Sequence, residues 1–250
     1  MGTDWKHSTT VAEGFDAYDD LPERVLGYPT ALAQLRLDDP DVRTVLDYGC
    51  GPGKVALRVA SGHDVDVVAV DIAERMLQIA RRSRPHPRVD HHLVESGKLA
   101  FLPDGAVDAA LTCYVFINIG DPDVISGIVA EVYRVLRPGG RYAVLDTNPD
   151  TTGIDFSTFR SGEPGVAYVA GQRRQVLLNQ PSGGVLELSD YHWPRSTYAD
   201  VLTAAGFTSV EFIAPLLGDV PGSGIAGTLL DTERPAEADN APFLVVTGVK

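Results

Sequence analysis

The stretch Val45-Leu46-Asp47-Tyr48-Gly49-Cys50-Gly51-Pro52-Gly53-Lys54 decides the fold. An apolar run meets three glycines at alternate positions, and Val55, Leu57, Val59 and Ala60 then recur with the pattern of an amphipathic helix. Glycine at such a turn lets the backbone reverse tightly and approach a ligand with no Cβ in the way. Eighteen residues after Gly53, Asp71 ends a second β-branched run, Val65-Asp66-Val67-Val68-Ala69-Val70. A carboxylate there accepts hydrogen bonds from both hydroxyls of a ribose. A dinucleotide site wants Gly-x-Gly-x-x-Gly, with helix amides open to pyrophosphate. Here the spacing is Gly-x-Gly-x-Gly, Pro52 removes an amide donor, and Asp47 repels phosphate. The turn suits a nucleoside that carries an amino acid.

Outward from this turn, short β-branched runs alternate with helical patterns, the signature of a parallel sheet covered on both faces. Further strands are expected at Val89 to Val94, Val107 to Cys113, Arg141 to Asp146 and Phe243 to Thr247. Asp121 and Pro122 open a helix carrying Ile125, Ile128, Val129, Val132 and Leu136, and Arg137-Pro138-Gly139-Gly140 must end it. Tyr198, Val201, Leu202 and Ala205 form a late helical face closed by Gly206. Three regions fall outside the alternation. Residues 1–40 hold two helical candidates, Phe15 to Leu26 and Thr30 to Leu37, split by Gly27-Tyr28-Pro29. Residues 148–193 contain two alternating runs, Arg174 to Asn179 and Val185 to Tyr191, that predict an inserted antiparallel hairpin. Residues 215–240, rich in Gly, Pro and acid, predict a long surface loop, with Glu233 to Asp239 as a solvated face.

The 250 residues carry 21 Lys and Arg against 34 Asp and Glu, a formal net charge of −13. Charge of that sign repels polyphosphate and anionic membrane surfaces, which argues against a nucleic-acid or membrane partner. The opening residues carry no signal-peptide pattern, and no apolar run approaches a membrane span. Two cysteines, Cys50 and Cys113, in a chain of this size fit a reducing cytoplasm.

The turn, the acid after the second run, Pro103-Asp104-Gly105-Ala106-Val107-Asp108 and Arg134-Val135-Leu136-Arg137-Pro138-Gly139-Gly140 together resemble the class I S-adenosylmethionine-dependent methyltransferases. Asn148-Pro149, Asp190-Tyr191-His192-Trp193-Pro194 and the aromatic start are similar to a bacterial small-molecule subgroup, the toxoflavin-type and other natural-product tailoring enzymes. The resemblance implies a Rossmann-like α/β domain with a mostly parallel seven-stranded sheet. Residues 1–40 form a helical lid, 41–147 the cofactor core, 148–193 a substrate cap and 194–250 the rest of the core. It implies S-adenosylmethionine as cofactor and S-adenosylhomocysteine as product. The expected cofactor set is Asp47, Gly49, Cys50, Gly51 and Gly53 at the turn, then Asp71, Ile72, Met76, Glu95 and Ser96, with Cys113, Tyr18 and Tyr28.

Because a sulfonium is an activated leaving group, the protein needs only to align the acceptor, exclude water and present it in a nucleophilic protonation state. Tyr114 and Phe116 follow the fourth strand at its carboxyl end and are expected on the acceptor side, with Phe15, Asn148, Tyr191, His192 and Trp193. His192 is the candidate general base, with Tyr114 beside it in the catalytic set. Asp146 and Asn148 do not make a metal set, and no metal is expected; Lys54 is expected to point to solvent. One plausible base and no metal cluster favour nitrogen over oxygen as the methylated atom of a small aromatic metabolite. A fold recruited to a non-methylating reaction, or a cofactor-binding regulatory protein, is the alternative. The chain is expected to be a monomer or homodimer.

Overall fold

A computed structural model describes residues 3–95, 97–219 and 235–250. Its seven-stranded sheet has the order β3-β2-β1-β4-β5-β10-β9. The strands are β1 (Thr44–Tyr48), β2 (Asp66–Asp71), β3 (Val89–Leu93), β4 (Val107–Cys113), β5 (Leu136–Thr147), β9 (Thr208–Ile213) and β10 (Phe243–Val249). β10 alone runs against its neighbours β5 and β9, so the sheet is mostly parallel as expected. Val45, Leu46 and Asp47 of β1 pair with Val67, Val68 and Ala69 on one side and Ala109, Ala110 and Leu111 on the other. The inner strands are buried on both faces, which is why they read as continuous apolar runs; the edge strand β3, half-exposed, carries Asp90, His91 and His92.

Helices α3 (Lys54–Gly62), α4 (Glu74–Ser83), α5 (Pro122–Val135) and α6 (Arg195–Ala205) cover the sheet and divide its core into one cluster on each face. Asp121 caps α5 through the amide of Asp123, and Gly206, at φ +106°, closes α6. The order of connection reverses between β1 and β4, and at such a switch point the strand carboxyl ends leave a crevice.

The amino-terminal region differs from expectation. Its first helix, α1, spans Thr9–Ala17, and the break falls at residues 18–20. Gly27, Tyr28 and Pro29 lie inside helical structure: Glu23–Gly27 form a π-helical turn that runs into α2 (Tyr28–Gln34), where Pro29 occupies the first turn and needs no amide. Ion pairs Glu13–Arg75 and Asp16–Arg84, both 2.6 Å, pin α1 to α4. Thr3 adds to the cap by exchanging hydrogen bonds with Ser189.

The insertion folds as the expected hairpin, β7 (Gln172–Asn179) and β8 (Val185–His192), plus an unexpected third strand, β6 (Phe159–Ser161). A buried ion pair seats this cap. Arg174 meets Asp190 with two bonds, 2.7 and 3.1 Å, and reaches Thr147 at the end of β5 (2.7 Å) and Thr152 (2.8 Å). Glu237 corrects the reading of a solvated acidic face: it is fully buried and its Oε1 accepts from the amide of Ser157. Glu233 lies outside the described residues.

Candidate active site

The glycine turn sits at the crevice. Gly49, Gly51 and Gly53 all have left-handed φ, at +80°, +52° and +82°. A Cβ on Gly49 would overlap Val115 Cγ2, and one on Gly53 would come within 2.9 Å of Ala80 on α4. Gly51 is different: a Cβ there would meet nothing within 4 Å, and the residue lines a cavity of about 740 Å³. Its amide donates to Asp71 Oδ2 (2.7 Å), while Oδ1 accepts from Ala73 N (2.8 Å). One carboxylate therefore both holds the turn and faces the cavity, with its second lone pairs free for a ribose. Asp47, two residues before the turn, is buried with neither oxygen hydrogen-bonded among the described residues; burial, and next the charge of Asp71, push its carboxyl up to about 7.

These features fit an adenosyl amino acid. The open side of Gly51 allows close approach to the backbone, and Asp71 offers acceptors. Ile72 lines the cavity with 44% of its surface exposed, and Met76 lies beside it, an apolar wall for a flat ring. Glu95 is on the same wall, and Ser96 lies outside the described residues.

From this end the cavity runs under the amino-terminal segment and the cap. Phe15, Tyr18, Tyr28, Cys113, Tyr114 and Phe159 line it, with Val176, Leu178 and Leu188 from the inner face of the cap. Tyr114 has φ +57°, a strained conformation for a residue with a Cβ. It is held by its own amide to Leu145 O (2.7 Å) and by Asn118 Nδ2 to its carbonyl (2.6 Å); Asn118 in turn accepts from Trp5 Nε1 (2.8 Å). Lys54, expected in solvent, instead donates to Tyr18 O (2.9 Å) and faces Asp20 at 3.9 Å, tying α3 to the amino-terminal segment.

Several expected residues lie elsewhere. Asp47, Cys50 and Gly53 support the turn from behind the cavity wall. Phe116 is buried against Tyr198, and Trp193 donates its indole N–H to the carbonyls of Phe116 and Ile119 (3.1 and 3.0 Å), so both build core. Tyr191 packs on Gly120, and Asn148 is used up by Ala241 O and the amide of Asp150. His192, the expected base, is off the cavity, near Tyr168; burial and then Arg174 lower its pKa. The alternation of β8 puts Leu188, Asp190 and His192 on one face, but the cavity ends at Asp190. Glu23, by contrast, lines the cavity and was missed. It looks like one more acid in a mixed Leu21-Pro22-Glu23-Arg24-Val25 run, and only the π-helical turn brings it inside.

Residues 45–140 match the family described as a methyltransferase domain. The chain is 37% identical over 220 residues to the N-demethylindolmycin N-methyltransferase of Streptomyces griseus, covering 86% of this chain and 92% of the relative. It is 30% identical over 189 residues to a ubiquinone/menaquinone biosynthesis C-methyltransferase of Desulfotalea psychrophila, covering 73% and 72%. A putative S-adenosylmethionine-dependent methyltransferase from Listeria monocytogenes shares the fold at TM-score 0.58 and 22% identity, over 89% of this chain and 97% of that one. The glycine turn, the acid after β2 and these likenesses converge: the chain belongs to the class I S-adenosylmethionine-dependent methyltransferases, and S-adenosylmethionine is its cofactor.

Proposed function

We propose that the chain methylates a nitrogen of a small aromatic or heterocyclic metabolite, as a tailoring step in natural-product assembly. The observation that carries this reading is the continuity of one cavity from the glycine turn to a chamber walled by Phe15, Tyr18, Tyr28, Tyr114 and Phe159. A planar acceptor buries its faces against those rings, which also exclude water from the reacting groups. When bound, S-adenosylmethionine supplies a methyl group already activated on a sulfonium. Asp71 and the turn hold the nucleoside, Asp47 backs the turn from behind the cavity wall, and the aromatic rings orient the acceptor. No helix among the described residues is long and apolar enough to cross a membrane.

Two observations favour nitrogen. Acids outnumber lysines along the cavity, Asp20, Glu23, Asp71 and Glu95 among them against Lys6, Lys54 and Lys98, which disfavours a phenolate and favours a neutral or cationic acceptor. The 37% identical relative is named as an N-methyltransferase. The test is product analysis by mass spectrometry, with methyl-labelled cofactor and a panel of arylalkylamines, heterocyclic amines and phenols. N-methyl products are expected. Label found only on phenolic oxygen or ring carbon would refute the assignment of the atom, and a panel left unlabelled would refute the acceptor class.

A further inference from the structure

Three buried polar atoms on the acceptor side of the cavity have no hydrogen-bond partner among the described residues: Glu23 Oε2, Tyr114 Oη and Ser161 Oγ. Unpaired buried polar atoms are costly, and native folds retain them where a ligand completes the bond. Glu23 is the one that carries chemistry. The π-helical turn that begins with it, closed by the Tyr28 amide on the Glu23 carbonyl, is a rare geometry that recurs at functional sites. Tyr18 Oη donates to Glu23 Oε1 at 2.9 Å and lies 2.6 Å from Thr158 Oγ1, so one carboxyl oxygen is anchored and the other is left over.

We propose that Glu23 is the proton acceptor for the methyl acceptor: its Oε2, in the same chamber as Tyr114 Oη, receives an N–H of a basic amine and takes the proton. The inference rests on the N-methylation reading above. Such an amine arrives as an ammonium ion with its lone pair tied up in an N–H bond. In the chamber that bond breaks, its electron pair stays on nitrogen, and the proton forms the O–H bond of a Glu23 carboxylic acid. Ammonium and carboxylate become amine and acid, and the freed lone pair is available for methyl transfer. Between turnovers Glu23 returns the proton to solvent.

The surroundings favour this direction, because burial penalises the ammonium and the carboxylate together. Burial pushes the Glu23 carboxyl up to about 8, with a smaller upward contribution from Asp20. Its own backbone, the Tyr18 hydroxyl and Lys54 oppose the rise. Tyr28 and Tyr114 complete the titratable groups around it, and burial raises both phenols, so they stay neutral.

The test compares wild type with Glu23→Gln on two probes of one shape, 2-naphthylmethylamine and 2-naphthol, from pH 6 to 10. S-adenosylhomocysteine affinity by calorimetry reports an intact cofactor half and is expected to stay within about twofold. At pH 7 the variant should lose roughly 10²-fold or more in kcat/KM for the amine, and the loss should shrink as solution pH supplies free amine. Parallel pH profiles for variant and wild type would overturn the inference and leave N-methylation standing. Methylation of the naphthol in preference to the amine would overturn N-methylation, and the inference with it. If neither probe is methylated, infrared difference spectra recorded at pH 9 on adding 2-naphthylmethylamine to the S-adenosylhomocysteine complex decide. The wild type should gain a protonated-carboxyl band that Glu23→Gln does not, and no gain of that band overturns the assignment.

Discussion

Two neighbouring glycines of the turn should fail in different ways when each is given a Cβ. At Gly51 the backbone is left-handed, φ +52°, which costs a residue with a side chain about 1–2 kcal/mol. Among the described residues, no atom beyond the chain neighbours lies within 4 Å of the added methyl, so Gly51→Ala should lose little more stability than that, a few degrees in Tm for a chain of this size. The methyl projects from the cavity wall toward the space the cofactor needs. Overpacking of that kind costs about 1–3 kcal/mol, or roughly 5- to 150-fold in S-adenosylhomocysteine affinity. At Gly49 the same methyl overlaps Val115, so Gly49→Ala adds an internal clash to the left-handed penalty and should cost about 2–5 kcal/mol of stability. Pairing it with Val115→Ala should recover the clash part alone. Urea unfolding of the apo proteins and titration calorimetry with S-adenosylhomocysteine measure the two quantities separately. A Gly51→Ala protein that binds S-adenosylhomocysteine as wild type does would refute this placement of the cofactor.

Asp71→Asn keeps the shape of a side chain that accepts from Gly51 and Ala73 but turns one acceptor into a donor facing a backbone N–H. A loss of roughly 10- to 100-fold in S-adenosylhomocysteine affinity is expected by calorimetry, from charge-assisted bonds worth about 1.5–3 kcal/mol. His192→Ala should leave kcat within about threefold in steady-state assays, because the ring lies off the cavity. Stability should also depend on pH through Glu23. Its folded-state pKa is raised from 4.5 to about 8, so between those values the folded chain holds a proton that the unfolded chain has lost. Wild-type stability therefore falls as pH rises through that window, at a ceiling of about 1.4 kcal/mol per unit, whereas Glu23→Gln does not titrate. Urea unfolding at pH 5 and pH 9 should show the variant gaining on the wild type.

The glycine turn and Asp71, the proposed cofactor end of the site, were legible because their signals are local. A strand, a turn that needs left-handed φ three times and a helix follow one another within about twenty residues, and Asp71 is fixed by the length of the next helix and strand. Each of those positions is set by backbone geometry that only certain residues tolerate. Ile72 follows β2 directly and Met76 sits in the first turn of α4. The inner strands were legible for the same reason, since apolar runs report strands buried on both faces, whereas the exposed β9 went unread. β6 escaped notice because three residues carry too little alternation to stand out.

The acceptor half obeys a different logic. Its wall is assembled from an amino-terminal helix, the end of β4 and a cap that begins more than a hundred residues after that helix, and no spacing links Glu23 to Tyr114 or Ser161. Proximity in sequence misled where it was relied on. His192 and Trp193 flank the cap's last strand, yet the Arg174–Asp190 pair closes the cavity one alternation earlier and leaves the imidazole outside. An acid inside an apolar chamber is also invisible by composition, because a Glu beside an Arg in a mixed run reads as solvated surface. What distinguishes Glu23 is that Tyr18 satisfies one of its oxygens and nothing among the described residues satisfies the other. A relation of that kind exists only after folding, and it lies on the side of the cavity where related enzymes must differ if they take different acceptors. In this chain local motifs build the end of the cavity proposed for the cofactor, and non-local contacts build the end proposed for the acceptor.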